Sequence, residues 1–469
     1  MKFSSSVTTS AIAVLSLIAS ASANTKRCLN TVEENVDYFP DKIVPRYSKQ
    51  WDISYHNTYK ILTNKAEGTS YLMYQCGTQP PVEEEGKHTL TFSVPLQDGV
   101  VLSSTTQIPQ FEQLGLRRQI RAYIGSTFYI SSPCLKTMIN EKAIDVLAWN
   151  NATEVVAFQA DHPETLIIRD SVVPGEANSF VISENDEDLN LEIYEWHKVV
   201  GALFNLEATA TEQFDEAEAR YLCNSDNAAI IAEQRRLEEK SDDGKPKVVW
   251  AYHSSWDPTN MYWDVARCEK PTEEDPEGNY NYYCQFAEQC SAELLHSNEG
   301  SIPNAWTDGD FHMTDEEFFE FAKDADYFIY TDNNWDTVYE MFKDDLDTFK
   351  SVQNQEVYDT AGSGANAWFE GRIAEFDIVL QDFCDVVGHY DDKMSPPHSR
   401  HYFRKVIPSG EEPIPDLGTC EVGMVDLPWE SRATDCVGLP NAAVGLSSKS
   451  KFAFLVPLGV VLSMSLFGF

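Results

Sequence analysis

The sequence is poor in positive charge. Lys and Arg number 35 against 75 Asp and Glu, a formal net charge of −40. A surface with this excess of negative charge repels phosphate backbones, which argues against nucleic-acid binding. Removing the two terminal segments described below leaves the imbalance in place, at −43.

The sequence also lacks the short motifs of common catalytic and cofactor sites. It contains no CxxC pair, no GxSxG, no HExxH and no GxxxxGK[ST]. Residues 362–367 match GxGxxA, but they follow a late strand and fit a turn better. We therefore predict a protein that is not an enzyme and carries no cofactor or metal of its own.

Aromatic residues, in contrast, are abundant: 25 Phe, 21 Tyr and 10 Trp. This content excludes a disordered chain. A length of 469 residues predicts two or three domains with a sizeable buried core.

The two ends predict a secreted, membrane-attached protein. Residues 1–23 have the basic start, the apolar run and the small-residue cleavage site of a signal peptide. Residues 441–443 are small, residues 444–451 form a polar spacer, and residues 452–469 form an uncharged apolar tail, the order of a glycolipid-anchor signal. A C-terminal transmembrane helix is the alternative. Either interpretation places the chain in the secretory pathway and at the extracellular face of the cell.

The ten cysteines fit an oxidising compartment, where disulfides are the default. Proximity in sequence favours Cys284 with Cys290 and Cys420 with Cys436, and the connectivity of the others stays open. Asn151-Ala152-Thr153 is a glycosylation acceptor motif and predicts a glycoprotein.

Short apolar runs alternate with helical stretches on both sides of one long amphipathic segment, a pattern of the α/β class. The predicted elements include helices from Pro109 to Ala122 and from Tyr282 to His296, a capping box at Thr314, and strands over residues 144–149 and 327–330. We predict two three-layer αβα lobes, arranged as a clamshell around a single spine helix. The predicted boundaries are signal peptide 1–23, N-terminal lobe 24–190, spine helix 191–223, charged linker 224–246, C-terminal lobe 247–390, tail 391–441 and anchor segment 442–469.

The spine helix is predicted from apolar residues that recur at helical spacing between Trp196 and Tyr221. Only Glu207 interrupts this stripe, so we expect it to have a buried partner. An unbroken stripe also predicts a spine without a hinge.

Aromatic, amide and hydroxyl side chains follow several predicted strands, where ligands of open α/β sheets bind. We expect Tyr55, Tyr59, Trp256, Trp335 and Trp368 to face one cleft. The candidate ligand-binding residues are Tyr55, His56, Tyr59, Thr105, Thr106, Trp256, Trp263, Asn334, Trp335, Asn366, Trp368 and Glu370.

Several segments in this order resemble the helical-backbone (class III) periplasmic binding proteins for ferric siderophores, cobalamin and metals, and among them the ferrichrome-binding-protein type of diatoms. The resemblance covers residues 36–410. It is carried by residues 51–60, 71–78, 101–115, 195–196, 204–207, 366–370 and 377–380.

The resemblance implies a receptor that captures an iron chelate between its lobes, with iron present only in the ligand. It also implies a membrane reductase or transporter as partner, with Glu112 as a docking residue. A carbohydrate-binding or adhesion protein and a secreted hydrolase on an α/β scaffold are the alternatives.

The negative charge predicts the type of chelate. An anionic chelate such as ferric citrate approaches against the field of the chain, and Lys60 and Arg372 are the only cations near the candidate residues. A neutral ferric hydroxamate meets no such repulsion. We therefore expect neutral hydroxamates to bind better than citrate or catecholates.

Overall fold

The structure is a computed structural model. It describes residues 23–33, 35–239, 244–254, 261–268, 280–297, 299–303, 311–390, 398–407, 413–415, 418 and 420–439. The predicted signal peptide, except for its last residue, and the predicted anchor segment lie outside the described residues. Among the residues described, no helix has the length and apolarity needed to cross a membrane.

The N-terminal lobe begins with a four-stranded sheet in which three antiparallel strands are followed by a parallel one. Alternation in the first strand buries Trp51 and Ile53 and exposes Asp52, as expected for a strand with one covered face. The strands, in sheet order, are β1 (Trp51–Tyr55), β2 (Tyr59–Asn64), β3 (Thr69–Gln75) and β4 (Leu90–Val94).

A five-stranded parallel sheet completes this lobe, with order β7-β6-β5-β8-β9. Because all five strands are parallel, their carboxyl ends lie at one edge of the sheet. The elements are β5 (Val100–Leu102), α1 (Gln107–Gln113), β6 (Ile120–Ile124), α2 (Pro133–Asn140), β7 (Asp145–Leu147), α3 (Ala152–Asp161), β8 (Leu166–Arg169) and β9 (Ser179–Val181).

The predicted helix from Pro109 to Ala122 is too long. Helix α1 ends at Gln113, because Gly115 adopts a left-handed φ of 69° that a helix cannot continue through. The following residues enter β6.

The predicted single spine helix is wrong: the segment folds into two helices, α4 (Asn190–Leu203) and α5 (Glu207–Glu239). They pack antiparallel. The Asn190 side chain donates to the Tyr221 hydroxyl at 3.2 Å, and the Tyr194 and Phe214 rings stack with centroids 5.8 Å apart. The predicted apolar stripe is buried on both helices. The prediction therefore identified the buried residues correctly but not the number of helices that carry them.

The break has a local cause. Asn205 takes a left-handed φ of 54°, and the Leu206 amide donates back to the Gly201 carbonyl at 2.8 Å. A side chain at Gly201 would meet Ala210 at 2.7 Å, so glycine permits the close packing of the two helices. The chain therefore breaks at residues 204–206, within the N-terminal core, contrary to the prediction of an unbroken helix.

The prediction of a buried partner for Glu207 is confirmed. Glu207 is the first residue of α5, and the Lys60 Nζ lies 2.5 Å from its carboxylate with both side chains fully buried. Asn24 and Tyr55 donate to the same carboxylate. Lys60 is therefore part of the N-terminal core and not a cleft cation.

The C-terminal lobe is built on a six-stranded mixed sheet of order β11-β10-β15-β16-β17, with β12 also paired to β10. Strands β10, β12, β15 and β16 are parallel, and β11 and β17 run antiparallel to their neighbours. The strands are β10 (Lys247–Ser254), β11 (Tyr262–Val265), β12 (Glu293–Leu295), β15 (Tyr327–Tyr330), β16 (Val357–Asp359) and β17 (Arg404–Lys405), with a separate hairpin of β13 (Ile302–Pro303) and β14 (Phe311–His312).

Helices connect these strands. The predicted capping box at Thr314 is present, with reciprocal hydrogen bonds to Glu317. The predicted helix from Tyr282 to His296 stops at Gln289, and strand β12 follows. The helices are α6 (Tyr282–Gln289), α7 (Asp315–Ala322), α8 (Trp335–Met341), α9 (Lys343–Leu346), α10 (Lys350–Gln353), α11 (Ala367–Gly371) and α12 (Phe376–Val386).

All ten cysteines are paired, which agrees with an oxidising compartment. Both predicted pairs are wrong. Cys284 lies within α6 and Cys290 just after it, so they point in different directions along the helix. The disulfides are Cys28–Cys76, Cys134–Cys420, Cys223–Cys436, Cys268–Cys284 and Cys290–Cys384.

Candidate ligand site between the lobes

The loops after β6 and β16 meet, and we call this contact the seam. The Asn366 side chain donates to the Phe128 carbonyl at 2.9 Å. The Glu370 carboxylate accepts hydrogen bonds from the Ser131 amide at 2.5 Å and the Ser132 amide at 2.9 Å. The carboxyl edge of the N-terminal parallel sheet therefore lies against the C-terminal lobe, where α/β proteins bind ligands.

Exposed aromatic rings are concentrated at this edge. Trp149, after β7, is 77% exposed, and Phe128 and Tyr129, after β6, are 69% and 47% exposed. Across the seam, Phe369 of α11 is 54% exposed. Large rings left open to water in this way provide apolar area that a ligand can cover.

A tight turn holds two of these rings in place. The Ser126 hydroxyl accepts from the Phe128 amide at the start of the short 3₁₀ turn 127–129. A Cβ at Gly125 would lie 2.8 Å from the Tyr123 ring, so glycine is required where the chain leaves the strand. The Phe128 and Tyr129 rings then meet edge to face, 5.3 Å apart.

The same edge also buries a polar group, in the segments after β5 and β9. The Thr106 hydroxyl donates to Glu184 at 2.8 Å, and the Gln107 amide donates to Asp170 at 2.9 Å. Burial raises the pKa of Glu184 to about 8 and also raises the pKa of Asp170. The shift of Glu184 reduces the negative charge at this edge near neutral pH.

A second carboxyl group lies in the seam itself. Burial raises the pKa of Glu370 to about 7, although the amide hydrogen bonds oppose this shift. Glu112 accepts from the Ser132 hydroxyl and from Arg117, each at 2.7 Å. Glu112, proposed from the resemblance as a docking residue, is thus engaged at the seam.

Two cavities follow the seam, and each has walls from both lobes and from the C-terminal tail. The first, about 250 Å³, includes Lys136, Asn366 and Ile414 in its lining. The second, about 190 Å³, includes Glu370 and Trp429. These volumes hold part of a drug-sized ligand, and the exposed rings outside them extend the available surface.

Three tryptophans expected at the cleft are instead core residues. Trp263 stacks on Phe318 with centroids 3.9 Å apart, and Trp335 and Trp368 are each 1% exposed. The two helical tryptophans occupy the first turns of α8 and α11, where the helix directs them onto the sheet. These two tryptophans pack beneath the loops and do not form an exposed wall, so the prediction that they face a cleft is corrected.

The expected cluster of Tyr55, His56 and Tyr59 lies at the turn between β1 and β2, in the other sheet of the N-terminal lobe. The Tyr55 hydroxyl contacts Glu207, and the His56 ring stacks on Tyr59 with centroids 4.2 Å apart. The structure does not bring these residues into the seam.

The remaining candidates follow strands at the expected edges. Thr106 binds Glu184, and the Thr105 carbonyl accepts the Ile108 amide at the start of α1. Asn334 accepts from the Tyr330 hydroxyl at 2.7 Å. Asn366 and Glu370 form the seam, and Trp256 lies outside the described residues.

Sequence reasoning missed Trp149, Phe128 and Tyr129. The signal was available, since each follows a strand, but residues 120–122 were assigned to a helix and Trp149 to the strand before it. It also missed Lys136, whereas Arg372, expected near the site, is buried against the Tyr282 ring at 3.7 Å.

No group of three or more His, Cys, Asp or Glu side chains with metal-binding geometry occurs among the described residues. The glycosylation acceptor Asn151 begins α3, and its side chain pairs with Glu154. Its neighbour Ala152 is exposed. Nothing in the structure tests glycosylation of Asn151, which stays a prediction.

No family model and no curated protein matches the sequence. Solved structures similar to the chain include a possible iron-binding periplasmic solute-binding protein from Staphylococcus epidermidis, with a TM-score of 0.41, 16% identity, and coverage of 62% of this chain and 98% of that one. A periplasmic heme-binding protein from Pseudomonas aeruginosa gives 0.40 and 13%, covering 60% and 91%. A Staphylococcus aureus protein with bound ferrioxamine B gives 0.39 and 14%, covering 62% and 98%. Similarities of this size do not assign the chain to a family.

Proposed function

We propose that this protein is an extracytoplasmic receptor that captures a neutral ferric hydroxamate between its two lobes, in the manner of the ferrichrome-binding type that the sequence resembles. The observation that carries the proposal is the group of exposed rings, Trp149, Phe128 and Tyr129, at the carboxyl edge of the parallel sheet. Phe369 lies opposite, on the helix that forms the seam.

The chemistry of the edge suits such a ligand. A hydroxamate chelate presents apolar chain segments and neutral oxygen atoms, and both need complementary groups on the protein. The rings offer apolar area, and the Asn366 side-chain amide, which donates one N–H to the Phe128 carbonyl, has a second N–H for a ligand. The arrangement requires no enzymatic step.

The charge around the seam favours a neutral ligand over an anionic one. Glu112, Glu370 and Glu375 line the second cavity together with one cation, Arg432, and Lys136 is the one charged residue in the described lining of the first. Ferric citrate would have to bring further negative charge to these carboxyl groups. We therefore expect hydroxamates to bind better than citrate and catecholates.

Ligand titrations test the proposal. Ferric hydroxamates should quench tryptophan fluorescence, because Trp149 is open to contact. The Trp149→Ala variant should bind about 5- to 150-fold more weakly, which corresponds to about 1–3 kcal/mol of lost apolar contact. Because this variant also loses a fluorophore, its affinity is measured by ultrafiltration and absorbance of the bound chelate.

The control is Val82→Ala, which removes an exposed apolar side chain from the turn before β4 and should leave the affinity unchanged. Tighter binding of ferric citrate than of a neutral hydroxamate at low salt would contradict the choice of chelate. Binding of glycans without binding of any ferric chelate would instead support the carbohydrate-binding alternative.

The proposed place of action is the outer face of the cell, with the chain held by its C-terminal segment and passing its ligand to a membrane reductase or transporter. Release of the protein from cells by a phosphatidylinositol-specific phospholipase would support the lipid anchor. Retention after this treatment, with release by detergent, would favour a transmembrane helix.

A further inference from the structure

The described part of the C-terminal tail crosses between the lobes. Strand β17 and Ile407 belong to the C-terminal lobe, where Ile407 is buried in the core. Farther along, Cys420 is disulfide-bonded to Cys134 of α2 in the N-terminal lobe, and Val425 is buried in the core of that lobe. The chain has therefore left one lobe and docked on the other.

The tail then returns. Arg432 forms a two-pronged ion pair with Glu375 of the C-terminal lobe, with Nε 3.0 Å and 3.1 Å from the two carboxylate oxygens. Cys436 is disulfide-bonded to Cys223 of α5. Asn227, also on α5, donates to the Val437 carbonyl at 3.0 Å and accepts from the Leu439 amide at 2.8 Å.

Between these attachments, the tail lies along the seam. Arg118 of the N-terminal lobe pairs with Asp426 at 2.7 Å and 3.0 Å. Trp429 lines the second seam cavity together with Glu112 of one lobe and Glu370 of the other. Residues 420–439 thus form a strap with one covalent attachment near each end.

We propose that this strap ties the two lobes at a fixed spacing, so that a ligand enters through local opening of the seam and not through a wide hinge motion. Without the tail, the lobes are joined through α4 and α5, and each helix has residues in both cores: Trp196 and Ala210 in the N-terminal core, Tyr194 and Phe214 in the C-terminal one. The two tail crossings add connections on the side of α2 and on α5, and the disulfides prevent their release. The proposal does not depend on which ligand binds.

The seam contains its own reporters of lobe separation. The Ser131 and Ser132 amides donate to Glu370 of the opposite lobe, so each can exchange its hydrogen only when the seam opens. Hydrogen exchange at these two amides in the full chain therefore measures how often the lobes separate.

The test severs the strap after folding. A protease recognition sequence is inserted after the exposed Leu427, and the purified, folded protein is cut there, with both disulfides intact. Exchange at the Ser131 and Ser132 amides should become about tenfold faster or more, while amides of β5 stay protected. The control carries the same insertion at the turn of Gly86, within the N-terminal lobe.

A second comparison uses cysteine variants. Cys134→Ser with Cys420→Ser frees one end of the strap, whereas Cys28→Ser with Cys76→Ser removes a disulfide wholly within the N-terminal lobe. Only the first pair should accelerate exchange at the seam. Equal exchange in cut and uncut protein would overturn the proposal, and so would equal acceleration by both cysteine pairs.

Discussion

The two lobes place aromatic side chains after their strands, but with opposite results. In the C-terminal lobe, Trp335 and Trp368 begin helices and are buried against the sheet. In the N-terminal lobe, Phe128 and Trp149 lie in a turn and a loop and remain exposed. In the C-terminal lobe the helix that follows each strand turns its first large side chain inward, whereas in the N-terminal lobe the turn and the loop leave theirs outward. The same local sequence pattern thus builds a core in one lobe and an exposed aromatic surface in the other.

Two buried acids, one in each lobe, also differ. Asp359 of the C-terminal lobe is paired with Arg404, while one carboxylate oxygen of Glu184 in the N-terminal lobe has no hydrogen-bond partner. The carboxyl edge of the N-terminal parallel sheet therefore contains a buried carboxyl group whose hydrogen-bonding capacity is only partly satisfied. Such groups are more common at binding sites than in structural cores.

The largest expected effect tests the division between core and surface tryptophans. Trp263→Ala in the C-terminal lobe should lower the free energy of unfolding by about 3–5 kcal/mol, because it leaves a cavity among stacked rings. Trp149→Ala should change it by less than about 0.5 kcal/mol, since Trp149 is exposed. Urea unfolding followed by circular dichroism measures both. Similar losses in the two variants would show that the contrast between the lobes is wrong.

The next effect tests the unpaired acid. The pKa of Glu184 is raised to about 8 in the folded protein by burial, so the folded state binds this proton more tightly than the unfolded state. Its contribution to stability is complete below pH ~4.5 and is lost as the pH rises through about 8. Relative to Glu184→Gln, the wild type should therefore lose about 2–4 kcal/mol of unfolding free energy between pH 5 and pH 9.

Urea unfolding at a series of pH values measures this difference. The exposed Glu83→Gln serves as control and should follow the wild-type profile. If the unfolding free energies of the wild type and of Glu184→Gln change in parallel with pH, Glu184 does not bind the proton.

The smallest effect concerns the turn that sequence reasoning assigned to the ligand site. His56→Ala removes a stacked ring at the surface and should lower the free energy of unfolding by only about 0.5–1 kcal/mol. Because the structure places this turn in the other sheet, chelate affinity should stay within about twofold of wild type, less than 0.5 kcal/mol. A large loss of chelate affinity, measured by ultrafiltration, would show that the β1–β2 turn belongs to the ligand site.

Much of the fold follows from local signals. The strand predicted at residues 327–330 is present with the same bounds, and the Thr314 capping box is present as expected. Even the burial of Glu207 was expected from its place in an apolar stripe. Local periodicity was enough to predict these features, although the partner of Glu207, Lys60, comes from the distant strand β2.

The residues of the candidate site were predicted less well, because the exposure of a side chain depends on which distant parts of the chain pack over it. Nothing near Trp368 in the sequence shows that Trp250 and Phe403 pack against it. The helix break at Asn205 had a local signal in its left-handed residue and in Gly201, but the continuous stripe concealed it. An apolar stripe shows which side of the chain is buried. The same spacing of apolar residues is compatible with one long helix and with two packed helices.

The sequence by itself determined the class of the chain, the approximate places of many strands and helices, and the oxidation state of its cysteines, because composition and short-range periodicity carry these properties. Only the tertiary structure decided which cysteines pair, that Trp149 is open while Trp368 is closed, and that the tail joins both lobes. Cys134 and Cys420 are 286 residues apart, and no local preference selects a partner at that distance. Packing of the two lobes and the tail brings them together.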